Sequence, residues 1–135
     1  MVPERTAAQR LGDSAEGIIA ERLTALGWDV LARNLRVGRH ELDLLAVDPG
    51  PPRELVALEV RWRGRRDFGL PEESINWAKR RALRRALVAL RERLPAIAPS
   101  AEHLPIRVDL IAMEPAPPGS PEPFVVRHHR AVALG

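Results

Sequence analysis

The sequence predicts an α/β domain with hairpin-linked strands at its centre. Apolar residues recur at helical spacing in two long segments and in short strand-like runs elsewhere, in the order helix, three strands, helix, two strands. This order is not the strict alternation of a Rossmann fold, and the sequence has no glycine-rich phosphate loop. The chain has 135 residues, 45% of them hydrophobic, which is enough for one core. We therefore expect residues 1–135 to form a single domain.

The first half of the chain predicts a helix and three strands. The helix is expected from Gly12 or an earlier residue to Leu26, and Gly27 would end it. Strands are expected at 28–34, 41–47 and 55–63, with a turn at 37–39. The loop at 48–52 contains three prolines, which cannot donate hydrogen bonds to a strand ladder.

The second half predicts one helix and two strands. A basic loop at 64–69 precedes a helix expected from Pro71 to about Leu94, with acidic residues in its first turn and Pro95 as its stop. After a linker we expect a strand at 106–113, a proline-rich loop at 115–121 and a short last strand at 124–127.

Composition excludes several classes of protein. No apolar run approaches the ~18 residues of a membrane helix, and the N-terminus has no signal-peptide layout, so we expect a cytoplasmic protein with no membrane partner. The absence of cysteine excludes disulfides, thiolate metal sites and cysteine nucleophiles. The net charge is only +3, and Lys79 is the sole lysine. Codon bias can explain the arginine count, but the clustering of arginines at 61–66 and 80–93 points weakly to nucleic acid.

Two acids and a cation are predicted to meet on the central strands. Side chains alternate along a strand, so Glu59, Arg61 and Arg63 share one face, and Asp43 lies with Leu45 on one face of the preceding strand. If these strands pair, Asp43 and Glu59 can approach each other. Two carboxylates can hold a Mg²⁺ ion, which activates water for phosphodiester hydrolysis. The alternative is an ordinary sheet face with a cross-strand ion pair, which spacing alone favours because Glu-x-Arg is a common tripeptide.

The chain also resembles the YraN-like family of endonuclease-like proteins. That family reads Gly-Glu-Ile-Asp-Leu-Ile, then Val-Glu-Val-Lys-x-Arg, then Phe-Gly-x-Pro; here the matching runs are 40–46, 58–63 and 68–71. Other positions match in order along nearly the whole chain: Gly12, Glu16, Ala20, Arg33-Asn34, Lys79, Arg107-Val108-Asp109, and His128 or His129.

The resemblance implies a restriction-endonuclease-like fold, with a central mixed sheet, one helix before its three-strand core and one after. This is the fold of the PD-(D/E)xK superfamily, which includes Holliday-junction resolvases. By the same resemblance, Asp43 and Glu59 would be ligands of Mg²⁺ or Mn²⁺, Arg61 would occupy the catalytic lysine position, and Glu16 would be an accessory acid.

Three residues depart from the family pattern. Arg61 replaces the lysine, His40 replaces a glycine, and Ala15 replaces another glycine. Arginine keeps its proton near neutrality, so Arg61 cannot act as a general base, although it can still orient a phosphate. The substitution leaves open whether the site is catalytic or only binds. His40 and Ala15 add bulk at turn and packing positions.

Several further residues have two interpretations. Glu16 could instead close a capping box with Asp13, and Lys79 could be a lysine whose amine extends to solvent at the edge of a helix rather than a phosphate contact. The loop after the third strand could bind a nucleic-acid backbone or be an exposed turn. We assign Arg63, Arg65, Arg66 and Lys79 to nucleic-acid binding. Trp28, Trp62 and Trp77 are expected in or beside the core.

Three functions follow from these features. The first is a metal-dependent endonuclease acting on DNA, including branched or single-stranded DNA. The second is a catalytically weak or inactive nuclease-fold module that binds nucleic acid. The third is a protein-interaction or homodimeric module, suggested by the modest charge and the proline-rich loops.

Overall fold

The fold was analysed in a computed structural model that describes residues 7–65 and 69–135, with side chains from residue 14 onward. The helices and strands are α1 (Ala7–Ala25), β1 (Asp29–Val37), β2 (His40–Asp48), β3 (Glu54–Trp62), α2 (Trp77–Ile97), β4 (Ile106–Pro115) and β5 (Phe124–His129), with short 3₁₀ turns at Pro71–Ser74 and Pro99–Ala101.

The five strands form one mixed sheet in the order β1-β2-β3-β4-β5. β1, β2 and β3 pair antiparallel, β3 and β4 pair parallel, and β4 and β5 pair antiparallel. The parallel pair requires a crossover, which α2 supplies. The α/β class, with one helix before and one after the three-strand core, is confirmed and is consistent with a restriction-endonuclease-like fold.

Each face of the sheet buries its own apolar cluster. On one face, Leu44, Val56 and Leu58 pack with Ile19 and Leu23 of α1. On the other, side chains including Leu45 and Ala57 pack with the apolar stripe of α2, formed by Leu83, Ala86, Leu90 and Leu94. Alternation along β3 therefore directs Ala57, and the charged residues that follow it at two-residue intervals, away from α1.

The alternation of β2 is broken near Asp43. Leu42 belongs to the cluster beneath α2, together with Leu45, whereas strict alternation would place Leu42 with Leu44 on the opposite face. On the neighbouring strand, Asn34 has a φ of 50°, a left-handed conformation that interrupts regular extension. The regular two-residue pattern predicted for this strand is therefore wrong at its N-terminal end, between Leu42 and Leu44.

The second helix begins and ends later than the sequence predicts. Residues 71–74 form a 3₁₀ turn, and α2 starts after Asn76, whose side chain accepts the N–H of Lys79 at 2.9 Å. At the other end the helix continues through Pro95, because the Leu94 carbonyl accepts the Ala98 N–H at 2.8 Å and both residues are buried. The burial of Leu94 and Ala98 therefore outweighs the tendency of Pro95 to end the helix.

The first helix begins at Ala7, in line with the prediction of a start at Gly12 or earlier. Asp13 lies inside α1, so a capping box formed by Asp13 and Glu16 is wrong. The two prolines of the 49–52 loop that follow Gly50 both have cis peptide bonds. Within the described ranges, neither helix offers an apolar stretch of the length that a bilayer requires.

Candidate functional site

The centre of the candidate site is Glu59, on the face of β3 that carries Ala57. Its side chain is only 4% exposed. Oε1 lies 2.8 Å from Nη2 of Arg61 and 3.1 Å from Nζ of Lys79. Arg61 is two residues along the same strand, and Lys79 comes from the first turns of α2. Two cations from different elements therefore converge on one buried carboxylate oxygen.

Asp43 lies where β2 separates from β3. Pairing between these strands ends at Leu44 and Leu58. One step further, Oδ2 of Asp43 accepts the N–H of Val60 at 2.8 Å, replacing a strand-to-strand hydrogen bond with a side-chain one. The break in the ladder brings this carboxylate into the electrostatic range of Glu59, Arg61 and Lys79.

Glu16 reaches the same place from α1. It is buried at the edge of the apolar cluster formed by Ala15 and Ile19, and it hydrogen-bonds Asp43. A Cβ on Gly17 would lie 3.4 Å from Nη2 of Arg33, so the glycine leaves room for that guanidinium beside the helix. The sheet, α1 and α2 therefore each contribute one or more charged groups to the site.

The site contains buried polar atoms with no hydrogen-bond partner. Among the side chains that the structure describes, these are Oε2 of Glu16, Oε2 of Glu59 and Nε of Arg61. Buried polar groups are rarely left unpaired, because desolvation without a partner costs about 1–3 kcal/mol. All three such atoms lie in this one cluster, two of them acceptors and one a donor.

Burial raises the pKa of all three acids of the site, and the charge of Asp43 adds to the effect for the two glutamates. Burial raises the pKa of Glu16 to about 7, with the charge and hydrogen bond of Asp43 as the next causes. Burial also raises the pKa of Asp43, against the opposing effects of the Val60 N–H and the two nearby cations. Burial and then the charge of Asp43 raise the pKa of Glu59, which Lys79 and Arg61 oppose. Burial therefore disfavours the ionised form of all three acids, and Arg61 and Lys79 offset it in part for Asp43 and Glu59.

The oxygen atoms that the structure describes in the site are of the type that a hard divalent cation prefers, but they do not form a complete coordination shell. Within the described residues, no group of three or more His, Cys, Asp or Glu side chains is arranged to hold a metal ion. Glu59 is instead held by Arg61 and Lys79. The unpaired oxygens of Glu16 and Glu59 are nevertheless the donor type that Mg²⁺ and Mn²⁺ prefer, and the charge of the acids suits a cation.

The structure places the residues assigned to nucleic-acid binding in two locations. Lys79 belongs to the site itself and also lines a cleft of about 210 Å³ with Arg39, His40 and Glu41. Arg63 and Arg65 line a second cleft, of about 410 Å³, at the end of β3. Arg66 lies outside the described residues, as does Phe68 of the matched motif.

A charge network that the sequence reasoning missed lies at the other end of β4. Asp109, fully buried, is bound by Arg107, by Nε2 of His128 at 2.7 Å and by the N–H of Ala131 at 2.9 Å. Arg107 also binds Asp48 at 2.7 Å and Glu54 at 3.0 Å. An Arg-x-Asp pair inside an otherwise apolar strand was the available signal, since charges at such positions need partners.

A second missed network is centred on Arg127 of β5. Its Nε and Nη2 bind both oxygens of Glu72, at 2.7 and 2.8 Å, and its Nη1 binds Glu114 at 2.8 Å. His129 lies 3.0 Å from the same glutamate. These ion pairs therefore hold the 3₁₀ turn that carries Glu72 against the sheet, beside the candidate site.

Trp77 was expected in or beside the core, but it is 61% exposed, because α2 begins there and turns it outward. Four arginines of α2 donate to backbone carbonyls of other segments: Arg80 to Ala133, Arg84 to Leu134, Arg91 to Glu102 and Leu104, and Arg93 to Arg36.

Comparison with known proteins gives one consistent family. Residues 15–113 match the model described as "Uncharacterised protein family UPF0102". A UPF0102 protein of Symbiobacterium thermophilum is 38% identical over 112 residues, covering 83% of this chain and 88% of the relative. One of Roseiflexus castenholzii is 38% identical over 104 residues, covering 77% and 78%. One of Carboxydothermus hydrogenoformans is 31% identical over 125 residues, covering 92% and 95%. The chain belongs to the UPF0102 family, the YraN-like family that its sequence motifs resemble.

Proposed function

We propose that this protein is a metal-dependent endonuclease that hydrolyses phosphodiester bonds in DNA. The observation that carries the proposal is the convergence of three acids from α1, β2 and β3, with unpaired oxygens on two of them. A buried cluster of this kind contributes little to stability as it stands, because burial disfavours the ionised form of each acid. It becomes favourable when a divalent cation supplies the missing charge.

Each residue of the cluster has a chemical role in this proposal. Asp43 and Glu59 would hold Mg²⁺ or Mn²⁺ through carboxylate oxygens, with Glu16 as the accessory acid. When bound, such a cation lowers the pKa of water and neutralises charge developing on the phosphate. Hydrolysis would form one bond from water oxygen to phosphorus and break one phosphorus–oxygen bond of the backbone, and the proton that water loses would be matched by protonation of the leaving sugar oxygen.

Arg61 and Lys79 are the groups that would contact the phosphate. Both now neutralise Glu59, and with a cation on the carboxylates their donors are released for phosphate oxygens. The buried Nε of Arg61, which has no partner in the described structure, is one such donor. Arginine supplies charge and direction here, and the proton acceptor must be another group because arginine does not deprotonate.

A second candidate function is nucleic-acid binding without catalysis. It is favoured by Arg61 at the position where the family pattern has lysine. This alternative expects DNA binding that weakens steeply with salt and no cleavage with any divalent metal. If only the missing lysine prevents catalysis, Arg61→Lys should confer cleavage; if the rest of the site has also lost its function, it should not.

The test is a DNA cleavage assay that compares variants of the site acids with variants of exposed acids of the same residue types. The protein is incubated with Mg²⁺ or Mn²⁺ and with plasmid, single-stranded and four-way-junction DNA. Asp43→Asn and Glu59→Gln are each expected to reduce the cleavage rate at least ~100-fold, since each removes a charge that holds the cation.

The controls are acids of the same type outside the site. Asp29→Asn on β1 and Glu21→Gln on α1 alter exposed residues and should leave cleavage unchanged. Cleavage that survives both Asp43→Asn and Glu59→Gln, or no cleavage of any substrate with either metal, overturns the proposal.

A further inference from the structure

The cleft next to the candidate site combines cations with an apolar floor. It lies where β3 and β4 end and β5 begins, and it encloses about 410 Å³, a volume within the range of small-molecule clefts. Arg63 and Arg65 contribute the cations. Pro115, Pro117 and Val125 contribute apolar surface, and Val125 is one of few large apolar side chains exposed in the described structure.

The cleft shares a face of the sheet with the candidate site. Phe124 and Val126 pack towards α1, so alternation turns Val125 to the opposite face, where Arg61 and Arg63 lie. The Arg63 N–H continues the ladder by donating to the Met113 carbonyl at 3.0 Å. Arg63 therefore follows Arg61 along one extended backbone, at a spacing of roughly 7 Å.

The charge of this cleft is arranged for an anion. Its lining has one acid, Glu114, and Nη1 of Arg127 binds that carboxylate at 2.8 Å. The cleft of about 400 Å³ beside Trp28 is less positive, because two acids, Asp48 and Glu54, line it together with Arg107 and Arg130. A ligand of the Arg63 cleft should therefore be both anionic and partly apolar.

We infer that the Arg63 cleft binds one unpaired nucleotide of the DNA strand, next to the phosphate that occupies the candidate site. The phosphate lies against Arg63 and Arg65, and the sugar and base lie against Val125 and Pro117. An intact duplex keeps its bases stacked and presents only its backbone, whereas an unpaired base offers an apolar face that can enter such a cleft. The inference rests on the proposed function and narrows its substrate to DNA with unpaired nucleotides.

The test measures binding rather than cleavage, in metal-free buffer with EDTA. Fluorescence anisotropy compares a labelled single strand with a duplex of the same sequence. Val125→Trp adds an aromatic surface and should strengthen single-strand binding at least ~5-fold while leaving duplex binding unchanged. Val125→Ser should weaken single-strand binding by roughly 3-fold. Because the first variant is a gain, a loss of folding cannot mimic it.

The matched control is Val88, an exposed valine on the outer face of α2. Val88→Trp and Val88→Ser should leave both affinities unchanged. Arg63→Ala should lower the slope of log affinity against log salt by roughly 0.7 on the single strand. The inference is overturned if Val125→Trp strengthens both forms of DNA equally, or if it acts no differently from Val88→Trp.

The two proposals fail in distinguishable ways. If cleavage depends on Asp43 but the Val125 variants have no selective effect, the endonuclease proposal stands and the nucleotide-binding cleft is rejected. Selective effects at Val125 in a protein that cleaves nothing retain the cleft as a binding site and reject catalysis.

Discussion

Nζ of Lys79 lies 3.1 Å from Oε1 of Glu59, which joins the only lysine of the chain to the most buried acid of the candidate site. Lys79→Met removes this cation and leaves Glu59 with Arg61 alone. Because an uncompensated buried charge is costly, we expect a loss of about 1–2 kcal/mol in the free energy of unfolding, allowing for the partial exposure of the lysine. Urea denaturation at pH 7, followed by tryptophan fluorescence, measures it.

The control for this prediction is Lys79→Arg, which keeps the charge and should keep most of the stability. Lys79→Met with unchanged stability would show that Arg61 alone compensates Glu59.

Glu16 predicts a dependence of stability on pH. Its pKa is raised in the folded chain from 4.5 to about 7, so the folded chain retains a proton that the unfolded chain loses in that interval. Its contribution to stability is therefore complete below pH 4.5 and is lost as pH rises to about 7. Glu16→Gln stays neutral throughout, so its stability relative to the wild type should rise across this window by on the order of 2 kcal/mol.

Thermal unfolding of the wild type and of Glu16→Gln at a series of pH values checks this expectation. Glu21→Gln, on the exposed side of the same helix, should show no such divergence. A difference between the wild type and Glu16→Gln that does not vary with pH would contradict the prediction.

Glu72 predicts the opposite dependence. Its hydrogen bonds with Arg127 lower its pKa from 4.5 to about 2. The stability that this provides is present above pH 4.5 and is lost as pH falls towards 2. Glu72→Gln should therefore be less stable than the wild type at pH 7, by about 1–2 kcal/mol, and should approach it in acid.

Denaturation at pH 7 and pH 3 measures the effect, with the exposed Glu73→Gln as the matched control. An equal loss for Glu72→Gln at both pH values would mean that shape rather than charge anchors the 3₁₀ turn.

A substitution at Asp109 should lower the stability of the protein without changing its DNA binding. It has no exposed surface and accepts hydrogen bonds from Arg107 and from the backbone of Ala131. Asp109→Asn removes the most buried of the three carboxylates that bind Arg107, so we expect a loss of about 3–5 kcal/mol in the free energy of unfolding. Alternation along β4 places Asp109 with Ile111 and Met113 on the α1 side of the sheet, opposite to the face that carries Arg61 and Arg63, so DNA binding per folded molecule should not change.

Calorimetry and anisotropy at a temperature where the variant is folded test the two parts of this prediction. A selective loss of DNA affinity in Asp109→Asn would assign this network to the binding surface.

Much of the fold could be predicted from the sequence because the signals are local. Apolar spacing in α1 and α2 and the prolines of the 49–52 loop indicate elements whose order matches the structure. The same applies to Glu59 and Arg61, whose placement on one face follows from the period of a strand. The limits of α2 were not predictable in this way, because Asn76 and Leu94 act through capping and burial rather than composition.

The tertiary structure alone decided how the acids meet. Strand alternation predicts a face for Asp43, but the break in that alternation between Leu42 and Leu44 and the Val60 hydrogen bond place its carboxylate within reach of Glu16 and Glu59. It also decided that Arg127 fastens Glu72 and that Val125 faces the Arg63 cleft, since these residues are distant along the chain. Local patterns determine which side chains share a face; long-range pairing and the points where it stops determine which of them come close enough to act together.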